Sequence, residues 1–186
     1  MEIYLVRHTT PKVNKGICYG QSDLEVTDSF QSEYERLLPH LPPGDRVIYT
    51  SPLRRCHLLA KQFTSDLSLD DRLKEMSFGA WELKDWTEIP DNALNEWMED
   101  FVGQRPPGGE SFLDLHKRVL DFWDELQQNP YDTPIIISTH GGVIRVIVCH
   151  LLQVPLTHAF HFHLDYGSVT KVATHSKILR LEYINR

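Results

Sequence analysis

Cysteine is scarce in this chain, with three residues among 186, an odd number. A disulfide framework is therefore not what holds it together, and a reducing compartment, the cytoplasm, is expected. Glycine, with 10 residues, and proline, with 11, stand at ordinary levels, which excludes a collagen-like or Pro/Gly-rich disordered chain. Positive charge is in the minority: 19 Lys and Arg face 26 Asp and Glu, for a formal net charge of −7. Nucleic acid is not the expected partner, although a single pocket can be positive on a negative protein. The longest apolar stretches, near residues 134–137 and 143–149, stop well short of the roughly 18 residues of a membrane span. The opening MEIYLVRH has no basic segment followed by an apolar one, so no membrane partner is expected either. There is no repeat, no low-complexity tract and no linker. What remains is 41% hydrophobic and 24% charged residues, enough for the core of one domain over residues 1–186. The outlier is histidine, with ten residues.

Residues 2–6 (EIYLV), 46–50 (RVIYT) and 135–139 (IIIST) are apolar on both alternating faces, the pattern of strands covered on both sides in a parallel sheet. Each is followed by a helical pattern. After the second, Ser51 is placed to cap a helix that starts at Pro52 and carries Leu53, His57, Ala60 and Phe63. After the third, Gly141 and Gly142 lead into a helix over 143–152. Ser111 with Asp114 three residues on forms a capping-box variant for a helix through Leu115, Val119, Phe122 and Leu126, ending near Asn129-Pro130. Residues 168–174 and 178–184 alternate as strands around a turn at His175 and Ser176, giving the sheet an antiparallel edge. The expected fold is α/β: a three-layer sandwich with a mainly parallel sheet and helices on both faces. Residues 76–109, with three of the four tryptophans, read as a less regular, lid-like excursion.

Polar clusters follow these strands: Arg7-His8-Thr9, Ser51-Pro52-Leu53-Arg54-Arg55 and His140-Gly141-Gly142. Ligands of open α/β sheets bind beyond the carboxyl ends of the strands, so the three clusters are expected to converge on one cavity. Two imidazoles, two or three guanidiniums and free N–H groups at helix starts suit a phosphate. No Ser or Cys stands beside a base, which leaves an imidazole as the nucleophile. His8, ending the first strand beside Arg7, is assigned that role, with His140 hydrogen-bonding the phosphoryl oxygens. A carboxyl group must protonate the departing oxygen, and Glu75 and Glu82 both qualify by spacing.

These motifs resemble the histidine phosphatase (phosphoglycerate mutase-like) superfamily. The RHT at 7–9 is similar to that family's RHG or RHT opening, and Asn14 stands where the family often has a phosphate-contacting Asn. Residues 51–55 resemble its SxLxR motif, 73–82 its LxExxFGxWE, 107–111 a Pro-Gly-Gly-Glu-Ser match, and 138–142 the segment with the second histidine. The resemblance implies Arg55 as the second phosphate arginine and Glu75 as the acid. Residues 16–23 (GICYGQSD) look most like the alpha-ribazole phosphatases of the cobamide nucleotide-loop pathway.

What this implies is hydrolysis of a small-molecule phosphomonoester such as alpha-ribazole 5′-phosphate through a phosphohistidine, releasing inorganic phosphate, with no metal or organic cofactor. Catalysis falls to His8, Glu75, His140, Arg7 and Arg55, and substrate contacts to Asn14, Gly20, Gln21, Ser22, Glu82 and Gly141. The alternatives are phosphoryl transfer of the phosphoglycerate mutase type and a non-catalytic phosphate-binding module. Two departures from the family pattern stand out: Thr9-Thr10 in place of Gly-Glu, and Leu83 where many members have Gly. Glu110 reads equally well as a site residue or as the partner of a basic neighbour. His158, His161 and His163 form a cluster, but no cysteine or carboxylate stands at convincing spacing to complete it, so no metal site is expected there. Nothing in the sequence specifies an oligomeric state.

Overall fold

The computed structural model describes residues 1–129, 131–176 and 178–186. Six strands form one sheet in the order β3-β2-β4-β1-β5-β6. They are β1 (Glu2–Arg7), β2 (Val47–Thr50), β3 (Ser68–Leu69), β4 (Ile135–Thr139), β5 (Val169–His175) and β6 (Ile178–Tyr183). β1, β2, β3 and β4 run parallel, whereas β5 pairs antiparallel with β1 and β6 antiparallel with β5. The expected architecture is therefore present, with β3 an addition that its two residues could not announce. The helix end expected near Asn129-Pro130 and the link after the turn expected at His175 and Ser176 fall partly on residues 130 and 177, which lie outside the described residues.

Strand alternation explains the layers. Ile3, Leu5, Ile135 and Ile137 face one side and pack on α4 (Phe112–Gln128) and α5 (Gly141–Leu152). Tyr4, Val6, Ile48 and Ile136 face the other and pack on Leu37 of α1 (Phe30–Leu37) and Leu59 and Ala60 of α2 (Arg54–Lys61). Each fully buried Ile or Leu contributes about 1.5–3 kcal/mol, so the central strands are anchored on both faces and their carboxyl ends are held rigidly. The Ser111–Asp114 capping box forms as read. Ser51 differs: α2 begins at Arg54 with Leu53 at the N-cap and no side-chain cap. The Ser51 hydroxyl instead accepts the Leu53 N–H at 3.3 Å, ahead of the helix, and lies 2.8 Å from His140 Nε2.

Residues 76–109 carry α3 (Asp91–Glu99) and a small cluster of their own, in which Trp81 and Ile89 pack with Cys18 against Phe78, Trp86 and Trp97. Leu83, where the family pattern favours glycine, has φ of 65°. A side chain with a Cβ is strained by about 1–2 kcal/mol there, and this one is exposed. Leu83→Gly is therefore expected to stabilise the protein by about 0.5–1 kcal/mol, after subtracting the entropy that glycine gives the unfolded chain. Urea denaturation checks this, and a loss of stability would contradict it.

Candidate active site

The carboxyl ends of β1, β2 and β4 bring the three polar clusters together. Arg7, His8, Glu75, Gly141 and Gly142 line one cavity of about 330 Å³, whose remaining wall includes Met76, Phe78, Trp97, Phe101, Phe112 and Phe160. Arg55 and His140 form the layer beneath it. Both are fully buried and both touch His8: Arg55 Nε donates to His8 Nε2 at 3.3 Å, and the two imidazole centroids are 5.1 Å apart.

These contacts fix the state of His8. Its Nδ1 is 2.7 Å from the Thr9 carbonyl, which can only accept, so Nδ1 carries the proton and Nε2 a lone pair. Burial first, and then the positive charges of Arg55 and Arg7, holds its pKa well below the ordinary value. The imidazole is therefore neutral, and its Nε2 lone pair accepts the Arg55 N–H. His140 is likewise held neutral by burial, with Arg55 and His8 adding to the effect. Ser51 Oγ accepts the Leu53 N–H at 3.3 Å, which leaves the Ser51 proton available to His140 Nε2.

The two candidate carboxylates separate clearly. Glu82 does not line the cavity. It accepts hydrogen bonds from the N–H groups of Gln21 (2.9 Å), Ser22 (2.6 Å) and Phe78 (2.9 Å) and from Ser22 Oγ (2.5 Å). Burial pushes its pKa up, but these donors outweigh burial and bring it below the ordinary value, so Glu82 remains ionised. Glu75 faces the cavity and accepts the Gly142 N–H at 3.1 Å. A Cβ at 142 would lie 2.2 Å from Glu75 Oε1, so any residue other than glycine would displace the Glu75 carboxylate from this position.

The expected substrate contacts at Gly20, Gln21 and Ser22 are placed elsewhere. The Gly20 and Ser22 carbonyls accept from Arg55 Nη2 (2.6 Å) and Nη1 (2.9 Å), and Gln21 Nε2 donates to the Glu75 carbonyl at 3.0 Å. This loop braces Arg55 and Glu75 rather than lining the cavity. At residue 20 a Cβ would meet the Met76 carbonyl at 2.0 Å, which explains the glycine. Asn14 is exposed and lies in a neighbouring cleft, beyond the touching hydroxyls of Tyr19 and Tyr166. Sequence proximity to His8 does not bring it into the cavity in this conformation. Glu110 takes the partner role, in a bidentate pair with Arg118 at 2.8 Å for each bond.

Two arginines were not singled out from the sequence. Arg118 also donates to the carbonyls of Arg72, Lys74 and Glu75, fixing the backbone that carries Glu75. Arg145, in α5, lines the cavity. The only available signal was helical spacing, since Arg145 falls four residues after Gly141 on the same face. Elsewhere, the His158 and His161 rings lie 4.7 Å apart, while His163 pairs with Asp165. A larger groove of about 750 Å³ along α4 and α5 is lined by His116, Asp124, Cys149 and His150 but by none of the residues of this site. No helix among the described residues is long and apolar enough to cross a membrane.

Paired imidazoles flanked by guanidiniums at strand ends, with a carboxyl opposite, define a phosphoryl-handling enzyme site. The comparisons give the family: residues 3–186 match the histidine phosphatase superfamily, branch 1, and the chain belongs to it. It is 31% identical to a putative phosphoserine phosphatase 2 of Hydrogenobacter thermophilus over 99% of this chain and 95% of that one. It is 27% identical to an adenosylcobalamin/alpha-ribazole phosphatase of Escherichia coli over 100% and 96%. Among solved structures, the alpha-ribazole phosphatase from Shigella flexneri superposes with a TM-score of 0.86 at 25% identity, covering 100% of this chain and 96% of that one. The protein is a phosphatase.

The buried imidazoles predict a pH dependence of stability. His8 and His140 are neutral when folded but titrate near 6.5 when unfolded. Below that pH the unfolded state binds more protons, so their contribution is intact above about 6.5 and declines as the pH falls. The loss is up to about 1.4 kcal/mol per pH unit for each buried imidazole. Urea midpoints at pH 7.5 and 5.5 are expected to differ less in His140→Gln than in the wild type, and an unchanged difference would contradict this. Arg118→Ala is expected to cost about 1–3 kcal/mol, because it leaves the half-buried Glu110 unpaired.

Proposed function

We propose that the enzyme hydrolyses a small-molecule phosphomonoester through a phosphohistidine on His8, releasing inorganic phosphate without a metal or organic cofactor. The observation that carries this reading is the neutral His8 imidazole, which lines the cavity beside Arg7 and whose Nε2 carries a lone pair held by the Arg55 N–H. Arg7 and Arg55 neutralise the phosphoryl oxygens, with Arg55 shifting its Nε–H from His8 Nε2 to an oxygen as phosphorus approaches. His140 supports the oxygens from beneath, and the start of α5 at Gly141 supplies N–H groups.

The steps balance simply. His8 Nε2 forms a bond to phosphorus as the ester P–O bond breaks, and Glu75 in its acid form gives its proton to the leaving oxygen. A water then attacks phosphorus, Glu75 takes the water's proton, the N–P bond breaks, and phosphate departs. Asn14 reaches the phosphoryl group only when the Tyr19–Tyr166 contact parts. In this reading residues 1–186 act as one catalytic domain, in a cytoplasmic setting where Cys18, Cys56 and Cys149 stay thiols. Residues 76–109 form the wall against the leaving group. That aromatic wall admits a flat ring, which supports alpha-ribazole 5′-phosphate as one substrate to test.

Phosphate release from p-nitrophenyl phosphate and alpha-ribazole 5′-phosphate, measured with EDTA present, tests the reading. His8→Ala is expected to abolish turnover. Arg7→Ala and Glu75→Gln are expected to lower kcat by about 100- to 1000-fold, the effect of removing one preorganised transition-state partner. Full activity in His8→Ala, or activity that requires added metal, would sink it.

A further inference from the structure

Arg145 is more than the mechanism needs. An ideal Cβ on Gly141 would lie 2.9 Å from Arg145 Nη1 and 3.4 Å from Arg7 Nε, so the two guanidiniums converge over one point at the start of α5. Both Nε atoms are buried and have no hydrogen-bond partner. No ion pair among the described residues involves either arginine. Among the described residues the one polar contact of Arg145 is Nη2 to the Phe162 carbonyl, at a long 3.4 Å, and its guanidinium carbon lies 5.0 Å from the Phe160 ring centre. Burial, and then the neighbouring charge of Arg7, pushes its pKa down, whereas the nearby Glu75 opposes this. Two adjacent cations without a carboxylate partner are costly to hold unless an anion completes them.

The position of Arg145 shows which anion. His8 attacks in line, so the leaving oxygen lies on the far side of phosphorus, where Glu75 protonates it. Arg145 lines the cavity together with Glu75 and stands against Phe160, whereas Arg55 is not part of that lining. Arg7 and Arg55 already serve the phosphoryl oxygens. We propose that Arg145 is a specificity-determining residue that binds a carboxylate or a second phosphate on the leaving group. The preferred substrates are then phosphorylated hydroxy acids or bisphosphorylated small molecules. They rank ahead of phosphomonoesters with neutral leaving groups, alpha-ribazole 5′-phosphate included. This inference rests on the phosphomonoesterase reading above.

Matched substrate pairs test it. Phosphoserine differs from phosphoethanolamine by a carboxylate, as does 3-phosphoglycerate from a glycerol phosphate; glucose 1,6-bisphosphate differs from glucose 6-phosphate by a phosphate. In at least one pair the wild type is expected to favour the more acidic member by roughly 10- to 100-fold in kcat/KM, the effect of a charged hydrogen bond. That preference should be carried mainly in KM. Arg145→Met is expected to collapse the ratio and Arg145→Lys to restore part of it. The pair that responds tells carboxylate from phosphate. No preference in any pair of the wild type, or a ratio unchanged by Arg145→Met, would overturn the assignment. The wild-type comparison decides even if a variant fails to fold. A wild type inactive on every compound, p-nitrophenyl phosphate included, would instead remove the phosphomonoesterase reading and this inference with it.

Discussion

A guanidinium with no exposed surface and no carboxylate partner governs this site. Arg55 is fully buried and is held by the Gly20 and Ser22 carbonyls and by His8 Nε2. Dipoles alone are an incomplete substitute for water around a buried cation, so the fold must hold those carbonyls firmly. It does so through Glu82, whose carboxylate gathers the N–H groups of Gln21, Ser22 and Phe78. Glu82 thus acts at one remove as the counter-charge of Arg55. Because the compensation is indirect, positive potential is left over beside His8, and that surplus adds to burial in keeping the imidazole neutral and favours a phosphate.

The remaining shell follows from the same constraint. In the proposed mechanism a neutral nucleophile needs burial, which the carboxyl ends of β1 and β4 provide. There the carboxyl group of Glu75 approaches the start of α5 closely, a position left open by the missing Cβ of Gly142. Arg118 ties down the three carbonyls around Glu75 and pairs with Glu110. Charged groups therefore sort into those that meet substrate and those that hold the backbone presenting them.

The strands and their terminal clusters were legible because burial on both faces imposes continuous apolar runs, and because Arg-His and His-Gly-Gly interrupt those runs abruptly. The Ser111 box was legible because its partners are three residues apart. Ser51 looked like the same kind of signal, but the helix begins at Arg54, and the hydroxyl is shared between the Leu53 N–H and His140, 89 residues away. The Gly20–Ser22 loop was expected to touch substrate, and it contributes backbone carbonyls that no side-chain pattern advertises. Arg118 and Arg145 were hidden for another reason: on a helix, a basic residue facing solvent and one facing a cavity have the same spacing. Asn14 shows the converse, since six residues of loop after His8 turn its side chain into a different cleft.

The central claim, that His8 Nε2 is the nucleophile, is most directly tested by trapping. Enzyme mixed with p-nitrophenyl phosphate and quenched within milliseconds in alkali should carry an alkali-stable, acid-labile phosphoryl group. Peptide mapping should place that group on His8, and the label should disappear as phosphate is released. Sustained phosphate release with no trapped phosphoenzyme, or a label on any residue other than His8, would contradict the account.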